Sequence, residues 1–327
     1  MIAPDLPPAL RAVLDQRAHG LSRSRAAVRA AAISQTYRGG GNSTAIRSDD
    51  DALAYALARM PATYAAVAAC LNAVAGARPD FRPDSLLDVG AGPGTATWAA
   101  IESYPSLQSL TLLDANPALR RLALMLAGQG RPLDYREADA RAHLAAMPEA
   151  DLVIASYVIG ELPDDGRTAF GMRLWERTRD MLLVVEPGTP AGYARIIALR
   201  AQLVVGGAHV IAPCPHDQAC PLLPPDWCHF AQRLARSRVH RQIKGAELPY
   251  EDEKFSYVVL AREACAVRPA RLLAPPLATK AEMRLKLCRP DGSAGIAAIP
   301  RRDKVAYARV RRLGWGDTLP MEQTGPL

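Results

Sequence analysis

Three cysteines stand close together in Ala212-Pro-Cys-Pro-His-Asp-Gln-Ala-Cys-Pro-Leu-Leu-Pro-Pro-Asp-Trp-Cys-His-Phe230, and a fourth, Cys288, follows in a basic tail. Thiolate sulfur is a soft ligand, so the pattern reads as a metal site. Pro213, Pro215, Pro221, Pro224 and Pro225 keep the segment out of helix and strand, leaving Cys214, Cys220 and Cys228 free to turn toward one centre. Their gaps of five and seven residues are wider than the Cys-x-x-Cys knuckles that announce structural zinc. A cubane iron-sulfur cluster tolerates wider spacing, and its cysteines are often followed by proline, as Cys214 and Cys220 are. Spacing alone leaves three readings open: the cluster, zinc with His216 or His229 as spare ligands, and buried thiols that bind nothing.

The second chemical segment is Leu86-Leu-Asp-Val-Gly-Ala-Gly-Pro-Gly-Thr95. An apolar run ending in Asp88, then Gly90, Gly92 and Gly94, is a strand entering a tight turn where the backbone can approach a ligand closely. Ser109-Leu-Thr-Leu-Leu-Asp114 is a second strand, about twenty residues on, whose terminal carboxylate is placed to grip a ribose hydroxyl pair. Asp134-Tyr-Arg-Glu-Ala-Asp139 is a third, with Asp139 as an acceptor for an adenine amino group. The series Asp-Val-Gly-Ala-Gly-Pro-Gly, Leu-Leu-Asp and Glu-Ala-Asp resembles the cofactor-binding motifs of class I S-adenosylmethionine-dependent methyltransferases. No dehydrogenase constellation accompanies the glycines, which sets the nicotinamide alternative aside.

These residues need a scaffold, and the chain supplies an alternating one. Strands expected at 86–90, 109–114, 134–139, 151–157 and 180–186 alternate with helical stretches, the pattern of an α/β, Rossmann-like doubly wound parallel sheet. Phe255-Ser-Tyr-Val-Val-Leu-Ala-Arg262 is its late strand, so the cysteine segment interrupts the core. Residues 1–80 read as a helical N-terminal cap broken at Gly39-Gly-Gly-Asn-Ser-Thr, and residues 81–265 as the methyltransferase-like core with an insertion at about 206–245. From 266 to 327, Glu282-Met-Arg-Leu-Lys-Leu-Cys288 and Lys304-Val-Ala-Tyr-Ala-Arg-Val310, joined through Arg-Pro-Asp-Gly292, suggest a small basic β-unit.

Composition bounds the setting. With 327 residues and 49% hydrophobic content the chain buries a sizeable core, and no apolar run reaches the roughly eighteen residues of a membrane span. The Arg- and Ala-rich start carries Asp5 and Asp15 and lacks a signal-peptide core, which argues against import and for a reducing cytoplasm. Disulfides are not expected there, and Cys70 and Cys265 read as packing. Net charge is +7, and residues 268–327 hold twelve Lys and Arg against five Asp and Glu. With Arg233-Leu-Ala-Arg-Ser-Arg-Val-His-Arg241 and the interleaved Tyr307 and Trp315, that surplus suits phosphates and unstacked RNA bases. Only five of the 40 basic residues are lysine, so part of the surplus reflects arginine usage in general.

Glu186-Pro-Gly-Thr-Pro, Ala212-Pro-Cys-Pro-His-Asp, Cys220-Pro-Leu, Trp227-Cys-His-Phe and Tyr250-Glu-Asp-Glu-Lys-Phe-Ser-Tyr257 resemble the signature blocks of methyltransferase-like proteins associated with the mitochondrial small ribosomal subunit, and of their bacterial relatives. The likeness runs from about 86 to 317. It implies a class I methyltransferase fold, an iron-sulfur cluster on Cys214, Cys220, Cys228 and Cys288, cofactor contacts at the glycine turn and Asp114, and work on the small ribosomal subunit and its rRNA. Methyl transfer itself is not implied. The Asn/Asp-Pro-Pro-aromatic motif that holds a target amine is replaced by Ala155-Ser-Tyr-Val-Ile-Gly-Glu161, and no cysteine nucleophile lies near strands four and five. The short three-cysteine motif of radical S-adenosylmethionine enzymes is also missing, so a structural cluster is expected. Tyr157, Glu161 and Glu186 are left as groups that could orient or deprotonate a target, or merely pack and cap.

Overall fold

Apolar runs bounded by turn residues become the strands of a mixed α/β protein, whose computed structural model describes residues 1–319 apart from 129, 131, 266 and 267. Strands β1 (Ser85–Val89), β2 (Ser109–Asp114), β3 (Asp134–Glu137), β4 (Ala150–Ser156), β5 (Thr178–Pro187), β6 (His209–Ala212), β7 (Phe230–Ala235) and β8 (Tyr250–Ala261) form one sheet. Its order is β3-β2-β1-β4-β5-β8-β6, with β7 pairing the first half of β8. Strands β1 to β5 run parallel and β8 lies antiparallel to β5. That is the doubly wound sheet of a class I methyltransferase fold. The chain reverses direction across the sheet between β1 and β4, and a ligand crevice opens beyond the carboxyl ends of strands at such a point.

Three helices lead into the sheet: α1 (Pro8–Ala18), α2 (Arg23–Arg38) and α3 (Asp49–Ala77). A capping box starts α3, Ser48 Oγ accepting from the Asp51 N–H and the Asp51 carboxylate from the Ser48 N–H. Alanines at 52, 54, 56, 62, 65, 66 and 68, all fully buried, let this helix press against its neighbours. By length and composition α3 is apolar enough to cross a membrane. Arg59, Pro61 and Asn72 interrupt its apolar pattern, so it does not read as one unbroken apolar run in the sequence. Here it is the central packing helix, sharing one core with Leu86 and Leu112 of the sheet.

The remaining helices are α4 (Thr95–Ser103), α5 (Pro117–Ala127), α6 (Ala140–His143), α7 (Asp164–Glu176), α8 (Pro190–Val205), α9 (Arg238–Lys244) and α10 (Lys304–Val310). A second sheet holds β9 (Arg271–Leu272), β10 (Leu277–Ala278), β11 (Glu282–Cys288) and β12 (Ala294–Pro300) over its own small core. The expected β-unit is present with one change. Arg289–Gly292 turns β11 into β12, whereas Lys304–Val310 is α10, not a strand. Asp303 accepts from the Ala306 N–H and caps it, a local bond that tips an ambiguous apolar pattern toward helix.

Candidate functional site

The glycine turn after β1 is built for close approach. Gly90 has φ +69°, and a Cβ there would stand 2.6 Å from Val158 Cγ2. Its neighbour Gly92 donates its N–H to Asp114 Oδ2 at 2.9 Å, while Asn116 N–H reaches Asp114 Oδ1 at 2.8 Å. Tyr135 Oη donates to Gly92 O at 2.7 Å and braces the turn from β3. Gly90, Gly92 and Asp114 line a cleft of about 550 Å³ at the carboxyl ends of the strands. A pocket of that size suits a nucleoside-sized ligand.

The other expected cofactor contacts stand apart from the cleft wall. Gly94 begins α4 at φ +78°. Fully buried, Asp88 accepts from Thr97 N–H (3.1 Å) and Thr97 Oγ1 (2.7 Å), tying α4 to β1, and burial pushes its carboxyl up to about 7. Asp139 caps α6 and is gripped by Arg141 at 2.6 Å, which holds its carboxyl below the usual range.

Residues that the sequence reading left in the helical cap form the opposite wall. Tyr37 at the end of α2, Gly40, Gly41 and Ser43 in the loop, and Tyr55 and Arg59 on α3 all line the cleft. Two hints were available: an aromatic two residues before the glycine run, and a Tyr and an Arg one turn apart on a helix. Three carboxylates, Asp114, Glu161 and Glu186, and three guanidiniums, those of Arg38, Arg59 and Arg195, share the lining. Burial, then Asp114, then Glu186 raise Glu161 to about 8, and burial raises Asp114 and Glu186 as well. Fully buried Glu186 is bound by Arg195 at 2.7 Å. Tyr157 holds a left-handed φ of 60° at the end of β4 and donates to Glu253 Oε1 at 2.9 Å, which Arg59 also binds at 3.1 Å. Burial beside Glu253 keeps that phenol protonated.

A second cavity borders α8 and β8. Cys214, Cys220, Cys228 and Cys288 all line it, together with His216, Tyr193 and Arg200. Cys288 Sγ is 3.4 Å from His216 Nε2, and Tyr193 Oη is 3.1 Å from Cys220 Sγ. Burial raises the thiols of Cys214, Cys228 and Cys288, the last to about 12, with the neighbouring cysteines adding to the shift. His229 is elsewhere, stacked on Trp227 at 5.0 Å and edge-on to Trp315 at 4.8 Å. Among the described residues, no three His, Cys, Asp or Glu side chains are gathered into a group that could hold a metal ion. The four thiols therefore share a cavity without converging on a point.

The C-terminal unit docks on this cysteine loop through protein contacts. Lys286 pairs with Asp226, and Arg271 donates to Pro213 O at 3.1 Å. Arg309, Arg311 and Arg312 are exposed. The 233–241 stretch is less free than its sequence suggested, because Arg233 pairs with Asp252 (2.8 Å) and Arg236 with Glu251 (2.8 Å).

Sheet order, glycine turn and cleft together define a protein of the class I methyltransferase fold, with a four-cysteine cavity added to it. Within that class the chain belongs to the Rsm22 family, whose model, described as mitochondrial small ribosomal subunit Rsm22, matches residues 49–320. The human ribosome assembly protein METTL17, mitochondrial, is 32% identical over 290 residues, covering 82% of this chain and 62% of that protein. Rsm22-cox11 tandem protein 2, mitochondrial, of Schizosaccharomyces pombe is 25% identical over 334 residues, covering 86% of this chain and 44% of that protein. The chain thus spans less than two thirds of either relative. Among solved structures, magnesium protoporphyrin IX methyltransferase from Synechocystis with bound SAH aligns at 12% identity and a TM-score of 0.40, covering 62% of this chain and 84% of that one. Precorrin-6y C5,15-methyltransferase from Geobacter metallireducens aligns at 14% identity and 0.40, covering 60% and 86%. The relatives' names overturn the cytoplasmic expectation, since each is called mitochondrial. That expectation rested on Asp5 and Asp15, and two acids near the start of a chain do not report its compartment.

Proposed function

We propose that this chain is a ribosome-assembly factor of the small subunit that binds S-adenosylmethionine in the cleft and carries a metal centre, of the iron-sulfur kind, on its four cysteines. The cleft carries the reading: backbone N–H groups and Asp114 meet the ligand on one wall, and Tyr37 and Tyr55 cover it from the other. A sulfonium ligand suits a wall on which burial and two neighbouring carboxylates leave Glu161 short of a cation. The cofactor would supply an electrophilic methyl group. Asp114 would accept from the ribose hydroxyls through its free lone pairs, and the glycine turn would admit the backbone side of the amino acid moiety. Cys214, Cys220, Cys228 and Cys288 would hold the metal centre once drawn together: the four line one cavity, and burial raises the thiols of Cys214, Cys228 and Cys288, so that a cation would have to displace their protons. The exposed Arg309, Arg311 and Arg312 would meet rRNA phosphates. The description of the family and the name of the human relative support the ribosomal setting.

Assembly rather than methylation is favoured by the end of β4. There Tyr157 is committed to Glu253, and the carbonyl acceptors that would hold a target amine are replaced by other residues. Mapping the methyl groups of small-subunit rRNA in cells with and without this gene separates the two. Impaired subunit assembly with an unchanged methyl map is expected. A single lost methyl group, restored by the wild-type chain but not by Asp114→Ala, would make the protein a methyltransferase instead.

A further inference from the structure

Two arginines are buried beside the four cysteines without a carboxylate partner. Arg200, in the middle of α8, is 2% exposed and donates to the carbonyls of His216 at 2.7 Å and Gln218 at 2.8 Å, while its Nε has no partner. Arg271, on β9, is 9% exposed and donates to Pro213 O at 3.1 Å and Gly316 O at 2.8 Å. Asp217, on the same loop, is taken by Arg268 and His209. Among the described residues neither guanidinium forms an ion pair. Arginine does not discharge itself by losing a proton, and a buried charge left unpaired is costly. Arg200 lines the cavity together with all four cysteines, and Arg271 lines the adjoining pocket with Pro213 and Cys214.

We propose that Arg200 and Arg271 are the built-in counter-charges of a net-negative metal-thiolate centre on Cys214, Cys220, Cys228 and Cys288, and that they set how tightly and at what potential the metal is held. This rests on the cysteine-centre reading above. Four thiolates around a core of charge +2, whether zinc or an oxidised four-iron cluster, leave two negative charges, and two guanidiniums cancel them. Protonated thiols leave two cations uncompensated. The pair also explains why a loop without Cys-x-x-Cys knuckles is held in shape. The same arginines that balance the charge fasten the carbonyls of residues 213, 216 and 218, which flank Cys214, so loop geometry and charge are set by one pair of side chains. For an iron-sulfur occupant, adding one electron from a reductant brings the site from neutral to one net negative charge. Removing an arginine charge makes that step harder, and the potential moves negative.

The full chain is purified anaerobically as wild type, Arg200→Gln, Arg271→Gln and Arg200→Lys, and iron, acid-labile sulfide and zinc are measured with resistance to a chelator. Glutamine keeps a donor for the carbonyls and discards the charge, and lysine keeps the charge. The glutamine variants should lose metal to the chelator about 10–100-fold more readily than wild type, the range for residues that support metal ligands. Their affinity for S-adenosylmethionine should stay unchanged, showing an intact fold. Arg200→Lys should recover most of the resistance, and a dithionite titration of iron-loaded protein should place the glutamine variants at more negative potential. Glutamine variants that keep metal and potential, or a lysine variant as weak as glutamine, would overturn the counter-charge role. Wild-type protein without metal would instead remove the centre itself. Should Arg271→Gln fail to fold, the Arg200 pair decides alone.

Discussion

The two cavities of this protein handle buried charge differently. In the cleft, Asp114 and Glu186 raise Glu161, Arg195 binds Glu186, and Arg38 and Arg59 line the same walls, so acids and guanidiniums stand side by side. Beside the cysteines the buried charges are Arg200 and Arg271, and among the described residues no carboxylate pairs with either. Charge buried without a partner is costly, so the second cavity favours an anionic occupant, while in the cleft only Glu161 is left to answer a cation. The proposed sulfonium cofactor and metal-thiolate centre would each meet one of these settings. Fold and family alone do not separate the two sites in this way.

The most severe way to break the contrast is to empty one cavity and watch the other. Cys220→Ser and Cys288→Ser should each abolish metal binding, although one lies in the loop and the other at the end of β11. Affinity for S-adenosylmethionine, read by calorimetry, should hold in both. A Cys288→Ser protein with full metal content would take the C-terminal unit out of the centre.

Asp114→Ala tests the opposite cavity. Loss of charge-assisted bonds to a ribose should weaken S-adenosylmethionine by about 1.5–3 kcal/mol in the same titration, leaving metal content untouched. Unaltered affinity would mean that the ribose is held elsewhere in the cleft.

The smallest effect sharpens the charge argument. Glu161 rises from 4.5 to about 8 on folding, so its folded form takes up a proton more readily than the unfolded chain. Its contribution to stability is full below pH 4.5 and is lost as pH rises toward about 8. A cationic ligand pairs with the ionised form, so the thermal shift produced by S-adenosylmethionine should grow across that window, while the shift from neutral S-adenosylhomocysteine stays flat. Glu161→Gln should flatten the first curve, and parallel curves for the two ligands would refute a charge-selective cleft.

The positions of the glycine turn and Asp114 were legible because their signals are local: a turn where a Cβ on Gly90 would stand 2.6 Å from Val158 demands glycine, and a strand end shows as an apolar run stopped by an acid. Asp139 illustrates the limit. Its position after β3 suits an adenine contact, yet Arg141 two residues on closes a salt bridge that a motif cannot foresee. Tyr37 and Tyr55 went unread as site residues because an amphipathic helix shows which side it buries, not which cavity that side meets.

Residue types and spacing by themselves determined the doubly wound sheet, the place of the glycine turn and the family, since each is written in short runs of neighbouring residues. Only tertiary structure decided that α2 and α3 wall the cleft, that Lys304–Val310 is a helix, and that Cys288 meets a histidine 72 residues away. It alone set the charge balance of each cavity. That balance follows from which ionisable groups are buried without a partner, and burial arises when distant segments close over one another.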